Sequence, residues 1–155
     1  MNRCNTKGIV VWCLMVMLGT AGAPARAEHK DGDHKTTLYQ RLGGYEAITA
    51  VVNEFADKLF TDPKLSAFFS NWDPQKQARF KQLNTLLVCS ATGGPCTYVG
   101  RTMSASHQGM GIDNARFDQV AGHLVTTLDK FKVPKTEKDE LVGIIGGLRP
   151  EIVGK

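Results

Sequence analysis

The segment Arg101-Thr-Met-Ser-Ala-Ser-His107-Gln-Gly-Met-Gly-Ile112 places a histidine at the end of a short helical stretch, just ahead of Gly109 and Gly111. An imidazole so placed suits metal ligation. One ring nitrogen binds the ion while the other donates its N–H to a backbone carbonyl, which fixes the tautomer and raises ligand basicity. A satisfied or solvated histidine is the competing reading, because one imidazole does not by itself make a metal site.

A second polar residue stands where an apolar one is expected. Asn84 lies four residues after Phe80 and three before Leu87, within the apolar stripe of a helix that begins at Pro74. Burying an amide without a partner costs roughly 1–3 kcal/mol, so Asn84 needs a hydrogen-bonding job. Either it bonds a nearby backbone carbonyl or it reaches a ligand. Other constellations fail. His123 falls six residues after Phe117, off the stripe of its helix, and reads as a surface or boundary residue. Ser104 and Ser106 neighbour His107, but adjacent helical side chains point apart and no carboxylate is placed to orient the imidazole, so a hydrolase triad finds no support. No H-x-x-x-H and no paired carboxylates argue for a protein-built zinc or di-iron site. The Gly-x-Gly at 109–111 lacks the strand and third glycine of a dinucleotide fingerprint.

The elements that must position these residues are helices. Ile48, Val51, Val52, Phe55 and Leu59 recur at helical spacing from Tyr45 to Phe60, after a Gly43-Gly44 break and before Asp62-Pro63. Leu65-Ser-Ala-Phe-Phe69 is a short apolar turn. Asp73-Pro74 then supplies a cap and a first-turn proline for a helix with Phe80, Leu83 and Leu87 on one face, running to about Ala91. Gly93-Gly94-Pro95 breaks it, and a loop leads to the short helix of Met103 and His107. Asp113 caps a helix with Phe117, Val120, Ala121, Leu124 and Leu128. After Val133-Pro134 a last helix is expected to carry Leu141, Ile144, Ile145, Leu148 and Ile152. The domain is predicted to be all-α.

The first residues have the three parts of a secretory signal: a positive start, the apolar run Gly8 to Leu18, too short to span a bilayer, and Ala25-Arg26-Ala27. Cleavage is expected after Ala27, leaving 128 residues with no stable membrane anchor, in the periplasm or secreted. Three basic residues leave with the signal, so 16 basic face 15 acidic residues. No Lys/Arg stripe remains to bind nucleic acid. Residues 28–36 read as a flexible polar leader. Its His29 and His34, with two aspartates, read as a solvated tail rather than a metal site. Residues 37–155 form the domain. Cys89 and Cys96 flank the Gly-Gly-Pro turn. In an oxidising compartment they would close a small disulfide loop, with two free thiols as the alternative.

A single axial histidine amid many apolar residues suits a large flat cofactor. Haem requires that arrangement, since burial of the macrocycle provides most of its affinity. No C-x-x-C-H is present, which excludes covalent c-type attachment.

Five motifs, in order, resemble a known family: Leu42-Gly-Gly-Tyr-Glu-Ala-Ile48, Leu65-Ser-Ala-Phe-Phe-Ser70, Gly93-Gly-Pro-Cys-Thr-Tyr-Val-Gly100, His107-Gln-Gly-Met-Gly-Ile112, and Phe117 through Val120-Ala-Gly-His-Leu124. From about Thr37 to Val153 the chain resembles a group I truncated haemoglobin, of the two-over-two globin family. The resemblance implies a two-over-two helical sandwich around haem b, with His107 as proximal iron ligand and Phe55, Phe69, Met103, Ile112, Phe117 and Val120 against the porphyrin. It makes the helix of Phe80 and Asn84 the distal one, with Asn84 a donor to bound oxygen. Many members place a tyrosine directly after the residue matching Phe55. This chain has Ala56, which leaves Asn84, or Gln82 after a shift of register, as the donor. The span from Ser70 to Gly93 matches with a small insertion.

The function so implied is reversible binding of oxygen, and of nitric oxide or carbon monoxide. Nitric oxide dioxygenation or weak peroxidase turnover would need a separate reductase. A six-coordinate globin for electron transfer or gas sensing is the alternative, and a haem-free helical interaction domain the plainest one.

Overall fold

The computed structural model describes residues 36–155. The expected signal peptide over 1–27 and, save its last residue, the leader over 28–36 lie outside the described residues. Seven α-helices and no strand are found among those that are described: α1 (Leu38–Arg41), α2 (Gly44–Thr61), α3 (Pro74–Ala91), α4 (Met103–His107), α5 (Asn114–Lys130), α6 (Lys135–Gly146) and α7 (Arg149–Ile152). A 3₁₀ turn, Ser66–Phe69, follows α2. None of these helices is long and apolar enough to cross a membrane.

The helix starts follow from their caps. Thr37 and Gln40 form a reciprocal capping box at α1. Asp73, Thr102 and Asp113 each accept a backbone N–H in the first turn of α3, α4 and α5. Gly43, at φ +91°, turns the chain between α1 and α2 in a region that suits glycine. α2 packs against α3, α5 against α6, and α2 also against α5, which makes two layers of two helices. Leu38, Leu124, Leu128 and Leu141 form the buried centre, with Val51 and Phe55 against it.

One expected element divides. The helix predicted to run through Ile152 stops at Gly146 and restarts at Arg149. Pro150 is the physical reason. In a continuous helix it would lack the N–H owed to Gly146 and press its ring on that carbonyl, and Gly146-Gly147 has little propensity to resist the break.

Cys89 and Cys96 form a disulfide with Cα atoms 5.8 Å apart, so the free-thiol alternative is not the one present. Cys89 is fully buried. Gly94 fits against it so closely that a Cβ there would stand 2.7 Å from Cys89 Sγ. The short loop it closes limits the unfolded chain by about 2–3 kcal/mol in the loop-entropy account.

His123 occupies the boundary expected of it, and the structure shows its partner. Its Nε2 donates to Asp62 Oδ2 at 2.7 Å, an oxygen that also accepts from Gln119 at 2.7 Å, while Lys64 N–H donates to Oδ1. The C-cap of α2 is thereby tied to α5. The His123 hydrogen bond, with those of Lys64 and Gln119, outweighs desolvation and lowers the Asp62 carboxyl from 3.8 to about 2. A depressed carboxyl contributes stability that is full above 3.8 and is lost as pH falls through about 2. Urea midpoints for wild type and Asp62→Asn are therefore expected to converge as pH drops across that window. Midpoints that stay parallel would refute the coupling.

Candidate functional site

A cavity of about 650 Å³ lies among the helices. It draws together the residues expected at the site, Gln82 excepted: Phe55 from α2, Phe69 from the 3₁₀ turn, Phe80 and Asn84 from α3, Met103 and His107 from α4, Ile112 from the next loop, and Phe117 and Val120 from α5. The lining is dominated by apolar side chains, and its volume falls in the range of small-molecule and cofactor sites.

His107 ends α4, whose five residues begin on the Thr102 cap. Its Nδ1 lies 2.8 Å from the Met103 carbonyl oxygen, one helical turn back. A carbonyl only accepts, so Nδ1 carries the proton and Nε2 keeps its lone pair. The imidazole is thus oriented and its tautomer fixed, with the Nε2 lone pair left unused by this bond. Gly109 and Gly111, at φ +77° and +62°, turn the backbone away directly afterwards.

On α3 the structure separates two residues that sequence left in competition. Asn84 lines the cavity, and its Nδ2 donates to the Phe80 carbonyl at 2.9 Å. A primary amide has two N–H bonds, so one remains. Gln82 instead is exposed, accepts from Arg79 Nη1 at 2.8 Å and does not line the cavity, so the shifted register is corrected. A residue two positions from Asn84 points to a different side of the helix. Ala56 is completely buried and also absent from the lining.

Sequence reasoning missed two features. Lys76, Arg79, Arg101 and Arg116 line the cavity, and no carboxylate does. Lys76 and Arg79 precede Phe80 and Leu83 at three- and four-residue steps, so extending the α3 stripe past its apolar part would have found them. Trp72 is the other. It completes a cluster with Phe69, Phe80 and Phe60, at 5.0 Å from Phe69 and 5.6 Å from Phe80. It lies in the segment between the two matched motifs, where periodicity gave no signal.

A bacterial-like globin family model matches residues 37–153. A group 1 truncated hemoglobin of Mycolicibacterium paratuberculosis is 38% identical over 116 residues, 75% of this chain and 83% of that protein. Among solved structures, the truncated hemoglobin of Tetrahymena pyriformis in its Fe(III) form superposes with a TM-score of 0.72 at 31% identity, covering 77% of this chain and all of that one. The 2/2 hemoglobin of a Synechococcus species, solved in the cyanomet state with covalently attached heme, gives 0.70 at 33% identity over 77% of this chain and all of that one. Sequence and backbone thus agree over the same span, the one that builds the cavity, and the chain belongs to the bacterial-like globin family as a group 1 truncated haemoglobin with the two-over-two helical fold.

Proposed function

We propose that the chain is a secreted or periplasmic haem b protein that reversibly binds dioxygen, and nitric oxide or carbon monoxide in its place, with His107 as the proximal ligand. The observation that carries this reading is the His107 Nδ1 bond to Met103, which leaves Nε2 free at the wall of a haem-sized apolar cavity. The rest of the donor set fits the group. Lys76, Arg79, Arg101 and Arg116 would hold its two acid groups, and the absence of carboxylates from the lining leaves nothing to repel them. Bound haem supplies the gas-binding and redox chemistry. The protein excludes water from the cavity and sets its polarity.

Neither α2 nor α3 brings a histidine, cysteine or methionine to the lining. This favours an open sixth position over the six-coordinate alternative. Nitric oxide turnover would draw electrons from a separate reductase. The Cys89–Cys96 disulfide supports an oxidising compartment, as does the pattern of residues 1–27.

Titrating the haem-free protein with haemin tests this directly. We expect uptake at one haem per chain, a five-coordinate ferrous spectrum and reversible shifts on adding oxygen or carbon monoxide. A chain that stays colourless would leave a haem-free helical domain. A low-spin ferrous spectrum without added ligand would establish the six-coordinate reading.

A further inference from the structure

The C-terminal segment has no part in the site as so far described, yet it lies against the element that carries His107. α4 has five residues, too few to hold helical shape alone, so its placement depends on what packs against it. α7 does so. Beyond α7, Gly154 N–H donates to the Ile112 carbonyl at 3.0 Å, which ties the chain's end to the loop after His107. Leu148 and Ile152 flank this segment's arginine, and both line the cavity.

That arginine fastens the segment to α5. Arg149 Nη1 donates to Asn114 Oδ1 at 2.9 Å, and Nη2 donates to the Asp118 carboxylate. Its guanidinium stands 4.2 Å from the centre of the Phe117 ring, and Phe117 is itself part of the cavity wall. A planar fork that stacks on a ring and bonds two acceptors fixes direction as well as distance, which a lysine ammonium does not.

We infer that Leu148 to Gly154 is a strap that positions the proximal helix, and that Arg149 is its positioning residue. By pinning α7 to α5, Arg149 holds α4, and so the His107 ring, at one angle to the cavity. The inference rests on His107 being the axial ligand, as proposed above.

The test compares wild type with Arg149→Ala, Arg149→Lys and Arg41→Ala. The last removes an arginine that pairs with Glu137 and Glu140 across α1 and α6 and does not line the cavity. Three quantities are read: the rate of haem transfer to apomyoglobin, the iron–histidine stretching band of the ferrous protein, and amide exchange across 103–112 in the haem-free chain. For Arg149→Ala we expect haem loss faster by roughly three- to tenfold, a shifted or broadened band and lower protection across 103–112. Arg149→Lys should fall between, since it keeps the charge and loses the fork. Arg41→Ala should lower the melting temperature and leave all three readings at wild type. Wild-type readings in both Arg149 variants, or equal changes in Arg41→Ala, would overturn the strap. Should no form take up haem, the haem reading fails by itself, and exchange across 103–112 still decides whether Arg149 orders α4.

Discussion

His107→Gly is expected to abolish the imidazole-ligated ferrous spectrum and to speed haem loss by roughly 100-fold or more. That figure takes the top of the range seen when mere outer-shell partners of a metal ligand are removed, and on the proposed reading the variant removes the ligand itself. The cavity should survive the change. Its walls come from α2, α3 and α5 as well as α4, and the cations of its rim are untouched. Haem should therefore still bind, loosely and without its axial nitrogen. Free imidazole added to the variant should enter the space vacated and restore the wild-type spectrum. Restoration separates loss of a ligand from loss of fold, because a misfolded variant gains nothing from imidazole. Met103 and Met110 also line the cavity. If the glycine variant keeps the wild-type ferrous spectrum before imidazole is added, His107 is not the ligand.

Much of this arrangement was legible because it depends on apolar spacing. The α2 stripe, the Asp73-Pro74 start and the glycines after His107 each state a local rule, and the observed elements obey it. Bringing Phe55, Phe80 and Phe117 from three helices to one cavity was not legible from spacing alone, which shows that a helix has an inner face and not what that face meets. The ordered motifs supplied that information. The cationic rim was hidden for a different reason. Lys76 and Arg79 reach the cavity on long aliphatic stems, so they count as polar in a periodicity reading while lying along the apolar side of α3. The break at Gly147 was misread because Leu148 and Ile152 continue the spacing of α6 even though Pro150 forbids the continuous helix. The split matters, since it lets the last turn of the chain lie against α4 and makes Arg149 available to α5.

The two readings of Asn84 make opposite predictions about oxygen. Bound dioxygen is polar and gains from a donor, whereas carbon monoxide gains little. With Ala56 outside the lining and Gln82 turned to solvent, Asn84 is the amide on α3 that faces the cavity. Its bond to the Phe80 carbonyl at 2.9 Å satisfies one N–H and also restrains the side chain, which pre-orders the second N–H for a ligand. Asn84→Leu, close in size and without a donor, is expected to raise the oxygen dissociation rate about tenfold, the equivalent of one hydrogen bond near 1.4 kcal/mol. Carbon monoxide dissociation should change by less than about twofold on the same argument. Stopped-flow displacement of each gas measures both rates. If the leucine variant releases oxygen at the wild-type rate, the amide serves the Phe80 carbonyl alone and gives bound oxygen no hydrogen bond. Ala56→Tyr is a poorer test. The site is fully buried, and forcing a ring into it would cost about 1–3 kcal/mol of strain that confounds the rate. Asn84 is the position where ligand chemistry changes while packing is held nearly constant, so the ratio of the two gas rates there reads the polarity of the distal side.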